Sequence, residues 1–279
     1  MSDEQPPFCS VIVPTRDRPG RLAECLDALG ELDYPAERLE VIVMDDVEGD
    51  GPAAMRNRGA ERARGELLAF TDDDCRPAPG WLRALAGRWL DDPDAAVGGR
   101  TANGLPADVF ATASQTIVEL VYAHYNAERP RFFASNNLAV PADGFREVGG
   151  FDESFQTSED REFCDRWLRR GLRLAFAPDA IVGHAPSMDL SAFVQRHFRY
   201  GQGAFRFHRS RSRNVAESVR RELGFYRGLP SGARASLAEA GPRAPALGAL
   251  LVAWQLANAA GFAWEALEDA AGRAAALVD

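Results

Sequence analysis

Three consecutive aspartates, Asp72, Asp73 and Asp74, follow a short apolar run at residues 67–70, with Thr71 between them. The run has the length and composition of a buried strand, so the carboxylates fall at the carboxyl end of that strand. One residue separates Asp72 from Asp74, so a turn can direct both at one point, and paired carboxylate oxygens suit Mg²⁺ or Mn²⁺. Many short aspartate runs are only solvated turns, so this stretch alone leaves both interpretations open.

Two further strands are predicted before this one, and aspartates follow each of them. Residues 10–14 precede Asp17, and residues 40–44 precede Asp45 and Asp46. Apolar residues at helical spacing separate the strands, and the order strand, helix, strand, helix, strand predicts a parallel sheet with right-handed crossovers. The carboxyl ends of such strands share one edge, where open α/β sheets bind ligands. The aspartates are therefore expected at one edge of the sheet.

Polar residues also mark the later part of this region. Residues 132–140 read as a strand with Asn136 and Asn137 in its middle, and these amides fit either a substrate pocket or a polar edge strand. His184 follows the last short strand, where a ligand-binding role and a satisfied loop histidine are both open. Asp160 opens a predicted helix, and the spacing from Thr157 also fits a helix cap.

Composition restricts the class of protein. The chain has 279 residues, is 46% hydrophobic and carries a net charge of −9, which argues against a general nucleic-acid role. It contains no lysine, so Schiff-base and P-loop lysine chemistry are excluded. The four cysteines form no CxxC pair and the N-terminal residues lack an apolar segment. We therefore expect a reduced cytoplasmic chain without a secretory signal.

The C-terminal third has a different character. Residues 196–221 contain eight arginines, with aromatic residues interleaved, which is typical of a helix on an anionic membrane surface. A solvated basic face is the alternative. Residues 244–263 are mostly apolar, but they also contain proline, glycine, glutamine and asparagine, which favours a docked or interfacial helix over a membrane span.

The ordered motifs between residues 10 and 184 resemble a family 2 glycosyltransferase with the GT-A fold. SVIVPTRDRP resembles the family's opening strand and loop, and VIVMDD resembles the strand that ends on a base-binding aspartate. MRNRGAERARGELLAFTDDD resembles the helix leading to the DxD motif, and SEDREFCDRW resembles the Glu-Asp helix. Val47 and Glu48 stand where the family usually has Gly-Ser. Asp17 stands where asparagine is common.

This resemblance implies an α/β fold of GT-A type, with a Rossmann-like, mostly parallel central sheet flanked by helices and a helical C-terminal extension. The catalytic domain is expected at residues 1–188, with a nucleotide-sugar half at about 8–100 and an acceptor half at 101–188. Residues 189–279 are expected to form the helical segment. The location implied is cytoplasmic, with peripheral attachment at the inner face of the cell membrane as a hypothesis.

The resemblance also implies a reaction, namely inverting transfer of a sugar from a UDP-, GDP- or dTDP-sugar to a carbohydrate or lipid-linked acceptor, assisted by Mn²⁺ or Mg²⁺. Asp160 is the first candidate for the general base and Glu159 the second. Asp74, Asp72 and His184 are the candidate metal ligands. The candidate donor contacts are Pro14, Thr15, Arg16, Asp45, Asp46, Arg56, Asp72 and Asp73.

Two other functions remain open on sequence alone. A sugar-phosphate nucleotidyltransferase also uses a parallel sheet and aspartate-bound Mg²⁺, but it normally has a glycine-rich, lysine-containing N-terminal loop, and residues 15–20 offer little of that. A non-catalytic, membrane-docked scaffold with the same fold is the third possibility. The presence of the acidic residues and of His184 argues against the scaffold.

Overall fold

A computed structural model describes residues 5–212, 215–220 and 223–275 of the chain. The fold divides into two compact units. The first comprises the described part of Met1–Gly104 together with Tyr125–Ser154 and Glu159–Pro186, and the second comprises Leu105–His124, Phe155–Ser158 and the described part of Ser187–Asp279. The longest segment of the second unit starts at Ser187, and its other two segments come from residues 101–188, the expected acceptor half.

The first unit is built on one seven-stranded sheet with the order β2-β1-β3-β6-β5-β7-β4. Its strands are β1 (Cys9–Thr15), β2 (Leu39–Asp45), β3 (Leu67–Phe70), β4 (Cys75–Pro77), β5 (Ala95–Asn103), β6 (Leu138–Pro141) and β7 (Arg173–His184). β1 runs parallel to β2 and β3, and β5 runs parallel to β7, whereas β6 and β4 pair antiparallel with their neighbours. The sheet is therefore mixed, with its parallel part where the sequence predicted it.

Five described helices of the first unit flank this sheet. They are α1 (Pro19–Gly30), α2 (Pro52–Arg62), α3 (Trp81–Asp91), α5 (Ala142–Val148) and α6 (Glu159–Arg169); α4 (Val109–Tyr125), between α3 and α5 along the chain, belongs almost entirely to the second unit. All residues of β1 and β3 are buried, as expected for central strands covered on both faces, whereas edge strand β2 is only partly buried. Trp81, Leu82 and Leu85 of α3 lie in the same core.

Two local predictions are wrong. The last strand before His184 is not short, because β7 runs from Arg173 to His184 and continues past a register shift opposite Gly99 and Arg100. Asn136 and Asn137 do not lie in a strand, because residues 135–137 form a short 3₁₀ turn before β6.

Asn137 has a structural role in that turn. Its side chain accepts a hydrogen bond from the Trp81 indole at 2.8 Å and donates one to the Ala180 carbonyl at 3.0 Å. A buried amide satisfied in this way ties α3, the turn and β7 together.

The second unit is helical. It contains most of α4, together with α7 (Leu190–Arg211), α8 (Val215–Arg220), α9 (Leu223–Glu239) and α10 (Ala244–Ala275). α7 and α10 pack very closely, because glycine replaces a side chain at two crossing points. A Cβ on Gly201 would lie 2.0 Å from the Asn258 carbonyl oxygen, and one on Gly261 would lie 1.9 Å from the Phe198 carbonyl oxygen.

Part of the basic, aromatic surface predicted for residues 196–221 is buried or paired in α7. Phe205 and Phe207 are buried and pack within the second unit, whereas Tyr200 is 41% exposed. Arg206 pairs with Glu265 at 2.7 Å and Arg209 with Asp269 at 3.5 Å, so acidic residues of α10 offset this positive charge. Arg213 and Arg221 lie outside the described residues.

Candidate active site

The aspartate run forms the turn between β3 and β4. β3 ends at Phe70, and the Cys75 amide donates to the Asp72 carbonyl at 3.0 Å, which reverses the chain into β4. Within this turn the three carboxylates meet different partners. Asp73 is directed into the core, Asp72 contacts Arg56, and Asp74 lies beside His184.

Asp73 holds the aspartate turn against the end of β1. Its side chain is fully buried, accepts a hydrogen bond from the Thr15 hydroxyl at 2.7 Å and lies 3.0 Å from Arg18. Burial raises the pKa of Asp73, while the Thr15 hydroxyl and the Arg18 charge act in the opposite direction. The expected donor contacts Thr15 and Asp73 therefore bond to each other and fix the end of β1 against the turn.

Strand pairing brings His184 to Asp74 from more than a hundred residues away. β7 pairs antiparallel with β4 so that His184 lies opposite Cys75, and the Ala185 amide donates to the Asp74 carbonyl at 2.9 Å. Nε2 of His184 then lies 3.5 Å from Oδ1 of Asp74. The structure thus places together two of the three candidate metal ligands.

Arg56 is buried between two carboxylates. One terminal nitrogen donates to Oδ1 of Asp72 at 2.6 Å and the other to Oε1 of Glu159 at 2.8 Å. Burial disfavours the charged guanidinium, but the carboxylates of Asp72 and Glu159 outweigh that effect and raise the pKa of Arg56. Arg56, a candidate donor contact, thus forms a bridge that joins α2, the aspartate turn and α6.

Asp160 lies in the first turn of α6, next to this bridge. Its carboxylate accepts hydrogen bonds from the backbone amides of Arg161 at 2.7 Å and Ser135 at 3.4 Å. Burial and the neighbouring negative charge of Glu159 raise the pKa of Asp160 to about 7, although Arg56 and the two amides oppose the shift. A carboxylate with such a pKa can accept a proton near neutral pH.

The loop after β2 contains the expected contacts to the nucleotide. Both oxygens of Asp46 accept from backbone amides, that of Asp50 at 2.8 Å and that of Gly51 at 3.1 Å, so this buried carboxylate shapes the loop into α2. Gly51 has a φ of +94°, which an L residue rarely adopts. Asp45, in contrast, is exposed at the end of β2.

Two expected donor contacts lie at the end of β1. Pro14 is buried within the strand, and Arg16 is exposed, with one guanidinium nitrogen 4.0 Å from Oδ2 of Asp46. Asp17, which the sequence placed at the same edge, has a side chain that is 95% exposed. Asp17 therefore contributes to the surface.

Asp74 and His184 fit a divalent cation. Among the residues that the structure describes, no three His, Cys, Asp or Glu side chains form a ready-made cage. Mg²⁺ and Mn²⁺ sites in phosphate-handling enzymes commonly use one or two protein ligands and complete their shell with water and phosphate oxygens. An anionic oxygen and an imidazole nitrogen 3.5 Å apart suit such a site.

Sequence reasoning missed Arg18 and Arg21. Nη1 of Arg18 lies 3.5 Å, and Nη1 of Arg21 lies 3.6 Å, from Oδ2 of Asp74. Arg18 precedes α1 and Arg21 lies in its first turn, three residues later. This spacing, directly after a strand that ends at the ligand-binding edge, was a signal for paired cations there.

Comparison with known proteins finds similarity to glycosyltransferases. The family model described as "Glycosyl transferase family 2" matches residues 47–146, which include Arg56 and the aspartate run but end before Asp160 and His184. The pre-mycofactocin glycosyltransferase of Mycobacterium tuberculosis is 28% identical over 181 residues, covering 62% of this chain and 38% of that protein. Glycosyltransferase AglE of Haloferax volcanii is 26% identical over 226 residues, covering 71% of this chain and 73% of that protein.

A solved structure shows the same fold. The mannosyltransferase PcManGT from Pyrobaculum calidifontis, solved in complex with GDP-Man and Mn²⁺, superposes with a TM-score of 0.65 at 23% identity, over 94% of this chain and 90% of that chain. This likeness confirms the expected α/β architecture of GT-A type with a helical C-terminal part.

Proposed function

Because residues 47–146 match the family 2 glycosyl transferase model and the fold is of GT-A type, we propose that this chain transfers a sugar from a nucleoside diphosphate sugar to an acceptor hydroxyl, with inversion at the anomeric carbon. The single observation that carries the proposal is the convergence of Asp74 with His184, and of Arg56 with Asp72 and Glu159, at the carboxyl edge of β1 and β3. The glycosyltransferase names of the relatives support it.

Asp74 and His184 are the residues that would hold Mn²⁺ or Mg²⁺. When bound, such a cation supplies positive charge where the nucleoside diphosphate leaves. Asp72 is the third candidate ligand, but its carboxylate is bonded to Arg56, so we assign it to the ribose side of the donor. The Mn²⁺ in the PcManGT complex supports a divalent cation here.

Asp160 is the proposed general base. The carboxylate of Glu159, the second candidate, is bound by Arg56, whereas Asp160 accepts only from backbone amides in the bonds described above. An acceptor hydroxyl is a weak nucleophile until it loses its proton, and the raised pKa of Asp160 suits it to take that proton near pH 7. One carboxylate acting on the acceptor alone leads to a single displacement, which inverts the anomeric carbon.

Several donor contacts are reassigned by burial. Asp73, Asp46 and Arg56 are buried and bonded within the protein, so we propose that they position the site rather than contact the donor. Asp45 and Arg16 are exposed at the same edge and remain the proposed contacts to the nucleotide. The donor class is a UDP-, GDP- or dTDP-sugar, and the acceptor class is a carbohydrate or a lipid-linked saccharide.

A donor panel tests the proposal. Nucleoside diphosphate release would be measured for UDP-, GDP- and dTDP-sugars with and without Mn²⁺, for the wild type and for Asp74→Asn. We expect release from at least one donor in the wild type, a dependence on Mn²⁺, and a loss of roughly 10²-fold or more in Asp74→Asn. Asp143→Asn, at a fully exposed carboxylate on α5 paired only with Arg146 in the bonds described, is the matched control.

Two outcomes would contradict the proposal. One is the absence of release from any donor by the wild type under every condition. The other is pyrophosphate formation from a sugar phosphate and a nucleoside triphosphate, which would identify a nucleotidyltransferase instead.

We also propose a peripheral position at the inner face of the cell membrane, carried by α10. Gly241–Arg273 is long and apolar enough to cross a membrane by length and composition, with a mean hydropathy of 1.4 over its best window. In the described part of α10, every exposed residue from position 245 to position 267 is apolar, and Leu256 and Leu267 are 68% and 70% exposed. Such a face is typical of a helix that lies in the interface of a bilayer.

Liposome flotation tests this position. We expect the wild type to float with vesicles that contain anionic lipid, and a Val252→Ser, Leu256→Ser, Trp264→Ser, Leu267→Ser variant to remain at the bottom. Ala259→Ser with Ala260→Ser, on the same exposed face, is the matched control because it removes little apolar area. Equal flotation of all three proteins, or of none, would contradict the proposal.

A further inference from the structure

The carboxylate that would bind the cation is already engaged by two arginines. Arg18 and Arg21 both approach Oδ2 of Asp74, at 3.5 Å and 3.6 Å, while His184 approaches Oδ1. The Asp74 side chain is only 6% exposed. A cation that reaches Asp74 must therefore displace these guanidinium groups or bind beside them.

The charges of this cluster explain why binding beside them is unfavourable. Arg18 and Arg21 place two positive charges against the carboxylates of Asp73 and Asp74. A divalent cation on Asp74 would add two positive charges close to both guanidinium groups, and like charges repel at this range. In the absence of nucleotide, the cation is therefore repelled by the guanidinium groups of Arg18 and Arg21.

A diphosphate removes that repulsion. Its negative oxygens match the planar donors of guanidinium, which binds phosphate in two parallel hydrogen bonds. Arg18 and Arg21 are 39% and 30% exposed, and they extend from the loop before α1 and from its first turn. Both side chains can therefore turn from Asp74 to a diphosphate by rotamer changes, while Thr15 still holds Asp73.

We propose that Arg18 and Arg21 gate the cation site, so that the cation and the nucleoside diphosphate bind cooperatively. In the absence of nucleotide the two arginines hold Asp74; the diphosphate then draws them off and leaves Asp74 and His184 to the cation. Because coupling between two ligands is reciprocal, the cation must tighten the nucleotide by the same factor. This inference rests on the proposed function, since the diphosphate is the leaving group of the donor.

Mn²⁺ binding tests the gate without any measurement of turnover. MnCl₂ would be titrated into the full chain, with free Mn²⁺ followed by electron paramagnetic resonance, first alone and then with saturating GDP or UDP. For the wild type we expect the nucleotide to tighten Mn²⁺ about tenfold or more, an amount typical of allosteric coupling. For Arg21→Gln we expect Mn²⁺ alone to bind about threefold to tenfold tighter, since one partly exposed ion pair is lost. The factor by which nucleotide tightens Mn²⁺ binding should be correspondingly smaller in Arg21→Gln than in the wild type.

Two variants serve as controls. Arg76→Gln removes the same charge from a residue that lines the same surface hollow as Arg21 and Asp74 but pairs with Glu24 and not with Asp74, and we expect it to change Mn²⁺ binding less than Arg21→Gln does. Arg21→Lys retains the charge, so we expect Mn²⁺ alone to bind it as weakly as the wild type.

The results that would overturn this inference differ from those that would overturn the proposed function. Equal affinity of the wild type and Arg21→Gln for Mn²⁺ alone, or an equal change in Arg76→Gln, would overturn the gate even if the wild type transfers sugar. Failure of the wild type to release nucleotide from any donor would instead remove the proposed function.

Discussion

Each unit of this chain buries a basic side chain, Arg56 in the first unit and His197 in the second, and the two are accommodated in opposite ways. In the first unit, buried charges have charged or hydroxyl partners: Arg56 with Asp72 and Glu159, and Asp73 with Thr15. In the second unit, His197 of α7 is 3% exposed and lies against Phe193, Tyr200 and Trp254, and neither ring nitrogen has a hydrogen-bond partner among the described residues.

This difference separates two uses of a buried polar group. A paired network fixes side chains in one geometry at the cost of desolvation, which suits a site that must hold several carboxylates in place. An unpaired imidazole among aromatic rings acts as a flat apolar group as long as it stays neutral. The free energy of unfolding should therefore respond to the loss of a partner at Arg56 in the first unit, and to a change of charge at His197 in the second unit.

The largest effect is expected at Arg56. Arg56→Met leaves the buried Glu159 without its guanidinium, and breaking a buried pair in this way costs about 3–5 kcal/mol of unfolding free energy. Urea unfolding of the full chain measures the change. Arg83→Met, which removes an exposed pair with Asp33, is the matched control and should cost less than about 1 kcal/mol. Equal effects of the two substitutions would show that the Arg56 network contributes nothing beyond a surface pair.

The second effect concerns His197 and depends on pH. Burial, with a smaller contribution from Arg196, lowers the pKa of His197 to about 4 from an ordinary 6.5. The unfolded chain therefore takes up this proton first as the pH falls, so the contribution of neutral His197 is complete above pH 6.5 and is lost toward pH 4.

Between pH 7 and pH 4.5 the wild type should thus lose about 2.5 kcal/mol more than His197→Leu, as judged by urea unfolding at both values. His124→Leu, at a partly exposed histidine of α4 in the same unit, is the comparison variant. Parallel pH profiles for the wild type and His197→Leu would mean that the imidazole is not buried as described.

A smaller effect is expected at Thr15. Thr15→Val keeps the shape but removes the hydroxyl that donates to Asp73 at 2.7 Å, and hydrogen bonds to charged groups contribute about 1.5–3 kcal/mol. We expect the loss of unfolding free energy to lie near the lower end of this range, because Arg18 still contacts Asp73. Thr157→Val, at a hydroxyl that donates to the Arg199 carbonyl, is the control for the loss of a neutral bond. An unchanged urea midpoint for Thr15→Val would contradict the anchoring role.

Sequence predicted the backbone of the site better than its side chains. The strands before Asp45 and Asp72, and the helix that begins at Glu159, follow from apolar runs and local spacing. The fold class was recognisable because these motifs occur in a fixed order. The directions of Asp72, Asp73 and Asp74 were not predictable, since each is set by a partner distant in sequence, such as Glu159 acting through Arg56.

The same limit explains the second unit. The aromatic residues of α7 looked exposed because the helix that covers them, α10, lies some fifty residues further along the chain. The pairing of Arg206 with Glu265 is likewise invisible to a local count of charge. Which side chains of α7 are buried could therefore be known only from the tertiary structure.

The central claim is that Asp160 takes the proton of the acceptor during sugar transfer, and the pH dependence of kcat/KM tests it most directly. With the best donor and acceptor found, the wild-type rate should be constant above about pH 7 and fall as the pH drops below it, because the carboxylate is then protonated. Asp160→Asn should lose about 10²–10⁴-fold in kcat/KM and the acidic limb, while Asp143→Asn retains both. An acidic limb that persists in Asp160→Asn, or a rate within a few-fold of the wild type, would contradict the account.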